Sequence, residues 1–405
     1  MHDVIYLTGA LGCAMPYKVY LKKKEEKRIL KGHPWVYANE VQRIEGEGKN
    51  GDLASVYTCS GRYIGKGYIN HLSKILVRIF IRDDGEPDER FFYEHIKKAD
   101  DYRRSLGFDD CYRVVFAEAD GLPGLIVDRY HDLLCIQVLT LGMEKQKQLI
   151  VDCLVRHFAP RGIYERSDAA VRAKEGLSPA KGPLYGEFDP RVVITENGLK
   201  LIADLKSGQK TGYFLDQKEN RYAIRRYARG GTVLDCFCNV GGFSLNAAAA
   251  GATQVTALDI SEKALEDVRE NARLNGLEDK ITTLRGDVFE ELRRFKQEGR
   301  QFDTVVLDPP AFCKSLDEVK DAYRGYRDIN LLGMKLVKSG GFLMTASCSH
   351  YMSFSLFGRM LREAAAESGR TVRLCELRTQ SPDHPASLAE EESTYLKFYI
   401  LQISD

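Results

Sequence analysis

The 405-residue sequence lacks several patterns that would assign a function at once. Its ten cysteines are scattered and contain no CxxC pair, which argues against a zinc ribbon or a disulfide-exchange site. Cys236 and Cys238 are two residues apart, but no histidine or further cysteine stands at a ligand spacing from them. We therefore predict reduced thiols, no metal site and a reducing compartment, the cytoplasm.

Long apolar runs are also missing. No stretch of about 18 or more apolar residues occurs, so we predict no transmembrane helix and no membrane partner. Segment 4–15 resembles the apolar core of a secretion signal, yet it has no basic n-region. We interpret residues 1–16 as an N-terminal extension without a function of its own, with Met15 as an alternative start. No internal repeat is present.

The composition is that of an ordinary globular protein, with 44% hydrophobic and 29% charged residues. The length predicts two or three domains. A net charge of +1 hides a basic stretch at 18–31 and an acidic cluster at 390–392. Because most basic runs are solvated faces, this stretch supports nucleic-acid binding only weakly.

Three regions with different residue patterns follow one another along the chain, and these patterns predict its domains. Residues 17–85 contain short alternating runs separated by glycines, typical of a small β-barrel-like domain. Residues 86–205 combine helices at 89–106 and 144–158 with strands and an Asn-Gly hairpin, which indicates a central α+β domain. Residues 206–405 alternate strand and helix, which predicts an α/β, Rossmann-like, parallel and doubly wound sheet, with 395–403 as a last strand at its edge.

The first strand of that sheet runs into a glycine-containing turn, LDCFCNVGGF at 234–243, and then an alanine-rich helix. Glycines let a ligand approach the backbone, and a helix N-terminus favours negative charge such as a carboxylate. Since the pyrophosphate fingerprint GxGxxG is absent, NAD and FAD are disfavoured.

Two further strand ends complete a predicted nucleoside-type cofactor site. The second strand ends at Asp259, which is placed to accept hydrogen bonds from both ribose hydroxyls, and the third ends near Asp287, which could accept from an adenine amino group. The predicted cofactor-binding residues are Asp235, Phe237, Asn239, Gly241, Gly242, Phe243, Asp259, Ile260, Asp287, Val288, Asp308 and Pro309.

The fourth strand ends in Asp308-Pro309-Pro310-Ala311-Phe312. Two prolines make a stiff loop at the edge where such sheets bind ligands, and a nucleobase next to a methyl donor would have to sit there. The alternative is that the prolines only terminate the strand.

Cys348 follows the fifth strand and is predicted to face the same cleft as Asp308. Cytosine C5 is a poor nucleophile, but a thiolate that adds to C6 gives C5 enamine character, so that it can accept a methyl group. Asp308 would then stabilise the adduct at N3. The alternative for a lone thiol is a buried structural cysteine. Cys313 is a rival that could assist product release, and we interpret His350 as a loop residue rather than the general base.

Several motifs in one order give the chain a resemblance to the bacterial 23S ribosomal RNA cytosine-5 methyltransferases of the large-subunit type I group. The likeness covers the chain from Tyr17 to its end. The motifs are GHPWV at 32–36, ADGLPGL at 119–125, RSD at 166–168, KTGYFLDQ at 210–217, NVGGF at 239–243, DPP at 308–310 and SCS at 347–349.

This resemblance implies an RNA-binding PUA domain, a central α+β domain and a Rossmann-like catalytic domain that uses S-adenosyl-L-methionine. It also implies that Cys348 and Asp308 are catalytic and that Gln217 borders the methyl donor. The segment 324–330 matches a family segment near the substrate. The substrate-binding residues so predicted are Pro310, Phe312, Arg324, Tyr326 and Arg327. Cys313 and the N-terminal extension depart from the family pattern.

The hypothesis is therefore an enzyme that methylates C5 of a cytosine in RNA, with 23S ribosomal RNA as its partner. A homodimer is left open. One rival function keeps the fold but methylates a base nitrogen, for which the Asp-Pro-Pro loop suffices without a thiol. Another is a ribosome-assembly factor that binds RNA and cofactor without turnover.

Overall fold

A computed structural model describes residues 16–313, 315–389 and 393–405. Almost all of the predicted N-terminal extension, and the acidic cluster at 390–392, lie outside the described residues. No helix of the described ranges is long and apolar enough to cross a membrane.

The N-terminal region is one six-stranded sheet with the order β2-β6-β5-β4-β1-β3. Alternation of apolar and polar residues creates its inner face, so that Val19, Val56 and Ile79 are buried in a core of their own. This confirms the prediction of a small β-domain here. Its elements are β1 (Tyr17–Leu21), α1 (Glu26–Leu30), β2 (Trp35–Tyr37), β3 (Val41–Glu45), β4 (Leu53–Tyr57), β5 (Tyr63–Ile69) and β6 (Ile75–Ile81).

The central region forms a five-stranded sheet with the order β11-β10-β9-β8-β7. Strand β11 was not predicted from the sequence, because Gly182 and Pro183 interrupt its pattern. It lies at the edge of the sheet, where a strand tolerates a proline. The helix predicted at 144–158 is in fact two. The elements are α2 (Glu89–Ser105), β7 (Cys111–Phe116), β8 (Leu125–Tyr130), β9 (Leu133–Val138), α3 (Leu141–Lys145), α4 (Lys147–Phe158), β10 (Gly162–Ser167) and β11 (Ala180–Tyr185).

The predicted Asn-Gly hairpin consists of β12 (Arg191–Glu196) and β13 (Leu199–Asp204). Asn197 and Gly198 have φ angles of +56° and +76°, which is what a two-residue type I′ turn requires. Leu201 of the hairpin belongs to a core shared by Tyr130 of the central sheet and Leu245 of the catalytic region. The hairpin thus joins those two regions.

The C-terminal region is a seven-stranded sheet with the order β16-β15-β14-β17-β18-β20-β19. Its strands are β14 (Thr232–Cys236), β15 (Gln254–Asp259), β16 (Ile281–Arg285), β17 (Phe302–Leu307), β18 (Val337–Ser347), β19 (Thr371–Arg378) and β20 (Lys397–Ser404). Its helices are α5 (Lys218–Ala223), α6 (Gly242–Ala249), α7 (Glu262–Leu274), α8 (Val288–Gln297), α9 (Val319–Leu336) and α10 (Phe354–Ser368).

The prediction that the last strand lies at the sheet edge is wrong. β20 lies between β18 and β19 and runs antiparallel to both, so the sheet is not wholly parallel. β20 is an almost continuous apolar run because it is an interior strand, whereas β19 is largely exposed and gave no apolar pattern in the sequence.

The parallel strands β14, β15, β17 and β18 end at one edge of this sheet. The strand order reverses between β14 and β17, which is where doubly wound sheets open a crevice for a ligand. The predicted cofactor, base and thiol loops all leave the sheet at this edge.

Candidate active site

Asp235 in β14 is a fully buried carboxyl group below the glycine turn. Its Oδ2 accepts hydrogen bonds from the backbone N–H (2.9 Å) and the hydroxyl (2.6 Å) of Ser244. Its Oδ1 has no partner among the described residues. Burial, with a smaller contribution from Asp308, raises the pKa of Asp235 to about 7. This oxygen is therefore available to a donor or cation of a bound ligand.

The turn that follows has an unusual backbone. Phe237 and Asn239 have φ angles of +59° and +50°, in the left-handed region that non-glycine residues seldom adopt. Gly241, at +84°, leads into the N-terminus of α6. The Asn239 N–H donates to Asp259 Oδ2 at 3.0 Å, which ties this turn to the end of β15. Such strain persists where the surroundings fix it, as in ligand-binding loops.

Asp259 has capacity left for a ligand. Its Oδ1 accepts one hydrogen bond, from the Ser261 N–H at 2.9 Å, and each carboxylate oxygen can accept a further one. The next residue, Ile260, is 66% exposed. A carboxylate that can accept from ribose hydroxyls, beside an exposed apolar side chain that can cover a ring, suits an adenosine.

Asp287 has a structural role that the sequence interpretation missed. Its Oδ1 caps α8 by accepting from the N–H groups of Phe289 (2.8 Å) and Glu290 (3.2 Å). Val288 is buried at the start of the same helix. A contact between Asp287 and adenine stays a prediction. Taken with Asp235 and Asp259, these strand ends supply hydrogen-bond acceptors of the kind that the amino and adenosyl groups of S-adenosylmethionine require.

Asp308 follows β17 and is half-buried. Gln217 donates a hydrogen bond to it, with Nε2 2.8 Å from Oδ1. Burial and the nearby carboxylate of Asp216 raise the pKa of Asp308 to about 7, although Arg221, Gln217 and Lys210 act against them. A good share of this carboxyl group is therefore protonated at neutral pH and can donate a hydrogen bond.

Two side chains near Asp308 were not assigned from the sequence, although they lie in the KTGYFLDQ motif. Lys210 forms an ion pair with Asp216, with Nζ 2.7 Å from Oδ2, and the Tyr395 hydroxyl donates to the same oxygen at 2.6 Å. Asp216 Oδ1 is buried without a partner among the described residues. The motif alone could have indicated them.

Cys348 follows β18 and its side chain is half-buried. Burial raises the pKa of the Cys348 thiol, and the carboxylates of Asp308 and Asp216 act in the same direction, while Lys210 and Lys397 oppose them. The thiol and the Asp308 carboxyl group therefore share one environment at the ends of neighbouring strands.

Tyr326 was predicted to bind substrate, but in this structure it is fully buried. It lies beneath residues 347–349, which carry Cys348 and are called the cysteine loop below. Its hydroxyl lies 3.1 Å from Ser347 Oγ and 2.9 Å from Ser349 Oγ. The two serines flank Cys348, so Tyr326 holds the loop that carries the thiol. A direct contact of Tyr326 with substrate stays a prediction.

Cys313 is 3% exposed and its thiol donates to the Ser315 carbonyl at 3.0 Å. Its backbone N–H also donates to Ser349 Oγ at 3.3 Å, so it braces the cysteine loop. His350 is exposed, with its ring edge-on to Tyr351 at 5.2 Å. Neither observation assigns these residues a chemical step.

Phe312, which was predicted to bind substrate, belongs to an aromatic cluster: the centroid of its ring lies 4.6 Å from that of Tyr326, 5.9 Å from that of Phe289 and 6.3 Å from that of Phe237. This aromatic cluster joins the glycine turn after β14 to the Asp-Pro-Pro loop after β17. Arg324 and Arg327 are exposed on α9, where they pair with Asp321 and Glu367, and Pro310 is exposed beside the buried Pro309. In the described part of the chain, no cluster of His, Cys, Asp or Glu could hold a metal ion.

The strand order and the carboxylates at the ends of β14 and β15 define a class I S-adenosylmethionine-dependent methyltransferase. A family model for S-adenosylmethionine-dependent methyltransferases matches residues 177–389, and one for PUA-like domains matches residues 19–82. A candidate methyltransferase solved in complex with SAH has the same fold, with a TM-score of 0.83 and 20% identity over 96% of this chain and 100% of its own.

Curated relatives agree over nearly the full length. The chain is 42% identical to the ribosomal RNA large subunit methyltransferase I of Aeromonas hydrophila, covering 96% of this chain and 100% of that protein. It is 39% identical to the protein of the same name from Klebsiella pneumoniae, covering 95% and 98%. The chain therefore belongs to the ribosomal RNA large subunit methyltransferase I family, and the predicted cofactor, fold and family are confirmed.

Proposed function

We propose that this methyltransferase transfers a methyl group to C5 of a cytosine in 23S ribosomal RNA through a covalent adduct with Cys348. The relatives' names support large-subunit ribosomal RNA as the substrate. The observation that supports the C5 chemistry is the half-buried thiol of Cys348 in the same environment as the Asp308 carboxyl group.

The chemistry assigns a role to each group. The Cys348 thiolate adds to C6 of the cytosine, and protonated Asp308 donates its proton or a hydrogen bond to N3, so that C5 gains electron density. C5 then takes the methyl group that S-adenosylmethionine supplies. A base then removes the C5 proton, and the electrons of that C–H bond form the C5–C6 double bond while the Sγ–C6 bond breaks and its electron pair returns to sulfur. N3 gives back to Asp308 any proton that it received, and the product is released.

The proposed domains are an N-terminal domain at residues 17–85, a central domain at 86–205 and a catalytic domain from 206 onward. The N-terminal domain is the one expected to bind RNA. The PUA-like domain would contact the RNA backbone, whereas the base enters the cleft unstacked, since neither C5 nor C6 can be reached by the thiol and the methyl donor within a duplex.

A direct test is to measure transfer of labelled methyl groups to large-subunit ribosomal RNA by the wild type and by Cys348→Ala, with Cys375→Ala, at an exposed cysteine, as the matched control. We expect the first variant to lose activity by at least about a thousandfold, since nucleophile removal typically abolishes covalent catalysis, and the control to retain it. Transfer by Cys348→Ala at the wild-type rate contradicts the mechanism.

Trapping separates this reaction from methylation of a base nitrogen. RNA that contains 5-fluorocytosine cannot lose a proton from C5, so it should remain covalently bound to Cys348 and migrate with the protein on a denaturing gel. Methyl transfer without trapping indicates the nitrogen reaction instead. Cofactor binding with no transfer to naked RNA or to particles indicates a binding factor.

A further inference from the structure

Lys397 is a buried lysine without a carboxylate partner among the described residues. Only 2% of it is exposed, and burial of an ammonium group is costly unless the group is paired. Its Nζ donates to two backbone carbonyl oxygens, those of Ser349 and Tyr395, each at 2.7 Å. The ring of Phe354 lies 6.0 Å away.

These contacts match a neutral amine. A neutral amino group has two N–H bonds and one lone pair, so the two carbonyls account for both N–H bonds and the lone pair takes the third tetrahedral position. An ammonium group would need a third acceptor, which the described residues do not supply. Burial lowers the pKa of Lys397 to about 8, so a substantial fraction is neutral slightly above physiological pH.

The thiol of Cys348 is the titratable group next to this amine. Lys397 is the first residue of β20 and pairs directly with Ser347, the residue before Cys348, while the carbonyl of Ser349, the residue after it, holds Nζ. Each group shifts the proton affinity of the other: Lys397 favours the thiolate, and the thiolate favours the ammonium ion.

We propose that Lys397 is the proton acceptor that activates Cys348. The Sγ–H bond breaks, an Nζ–H bond forms, and the thiolate remains beside the new ammonium ion. This inference rests on the proposed role of Cys348 as the nucleophile. The net charge of the pair does not change, so the step needs no further reactant.

The other charged groups that face Cys348 do not replace Lys397 in this role. Lys210 also favours the thiolate, but it is exposed and held in an ion pair with Asp216. Asp308 and Asp216 both disfavour the thiolate by their negative charge. Lys397 is thus the basic group near the thiol that has neither a carboxylate partner among the described residues nor free access to water.

The test measures the thiol itself. The wild type and Lys397→Met are alkylated with iodoacetamide from pH 6 to 10, and the rate at Cys348 is quantified by peptide mass spectrometry. We expect a midpoint near the Lys397 pKa of about 8 in the wild type and above about 9 in the variant, and therefore a roughly tenfold lower rate at pH 8. Lys338→Met is the matched control. Lys338 lies at the start of β18, whereas Cys348 follows the end of that strand, so this variant should leave the pH profile of alkylation unchanged.

The proposal is overturned if folded Lys397→Met, with a wild-type melting temperature, alkylates at Cys348 with the wild-type pH profile. If that variant does not fold, the wild-type profile decides alone, because a single midpoint above about 9 also overturns the proposal. Alkylation requires no RNA, so its outcome is separate from that of methyl transfer by Cys348→Ala, which tests the nucleophile.

Discussion

Gln217 donates a hydrogen bond of 2.8 Å from Nε2 to Asp308 Oδ1. Its orientation is fixed from the other side, because Asn220 Nδ2 donates to Gln217 Oε1 at 2.7 Å, so the amide can present only its N–H groups to the carboxyl group. Asp308 is thereby held with one oxygen engaged and the other left for the substrate.

We expect Gln217→Ala to lower kcat/KM by about tenfold, which corresponds to the loss of one buried hydrogen bond to a carboxyl group. Without the donor, the ionised form of Asp308 loses stabilisation and its pKa rises, so the expected loss of rate comes from the lost positioning of the carboxyl group and not from its protonation state. Steady-state methylation of ribosomal RNA measures the effect. Gln254→Ala, an exposed glutamine at the start of β15, is the control, and an equal loss there would show that the assay reports general damage.

The pH dependence of methylation is set by the titration of two groups, Asp308 and Lys397. Asp308 donates only while protonated, so its contribution falls as the pH rises through about 7, whereas thiolate formation at Cys348 increases as the pH rises through about 8, where Lys397 loses its proton. The product of the two populations is greatest between these values, so kcat/KM should be bell-shaped with a maximum between about pH 7 and 8.

Asp308→Asn separates the two limbs of this profile. The amide keeps a donor but does not titrate, so the alkaline fall should disappear while the acid limb remains, at a lower absolute rate. The measurement is kcat/KM from pH 6 to 10 in buffers of constant ionic strength. An alkaline limb that persists in the variant would assign it to another group.

The sequence allowed the strand ends to be predicted well, because β14, β15 and β17 are short apolar runs bounded by glycine, aspartate or proline. The contacts among the side chains could not be predicted in this way. Gln217 and Asp308 are 91 residues apart, and only the fold brings them together. Lys397 was counted within an apolar run, although a single lysine inside an interior strand is a detectable signal.

Tyr326→Phe should lower kcat by about tenfold and leave the affinity for S-adenosylmethionine unchanged. The substitution removes the hydroxyl group that holds Ser347 and Ser349 and keeps the ring against Phe312, so only the position of the thiol loop is affected. Tyr323→Phe on the same helix is the control, because its hydroxyl makes no hydrogen bond to that loop in the described residues. Equal kcat values for the two variants would count against a positioning role.

Asp235→Asn is expected to stabilise the ligand-free protein at alkaline pH and to weaken binding of S-adenosylmethionine. Because the folded protein raises the pKa of Asp235 to about 7, the folded state binds a proton that the unfolded state has already lost, and stability falls as the pH rises between about 4 and 7. Above pH 7 the wild type contains an ionised carboxylate in a buried position, whereas the amide carries no charge.

The gain in the free energy of unfolding should be about 4 kcal/mol at pH 8, because the pKa of Asp235 is raised from 3.8 to about 7, and less than about 1 kcal/mol at pH 4, where the folded carboxyl group is protonated and the unfolded one is about half protonated. Urea unfolding at the two pH values measures it, with Ser244→Ala as a control that removes one hydrogen bond to the same carboxyl group. Calorimetric titration with S-adenosylmethionine should show weaker binding to Asp235→Asn, because the buried Oδ1 is replaced or displaced. A gain in stability that is equal at both pH values, or unchanged affinity, would contradict this account of the buried carboxyl group.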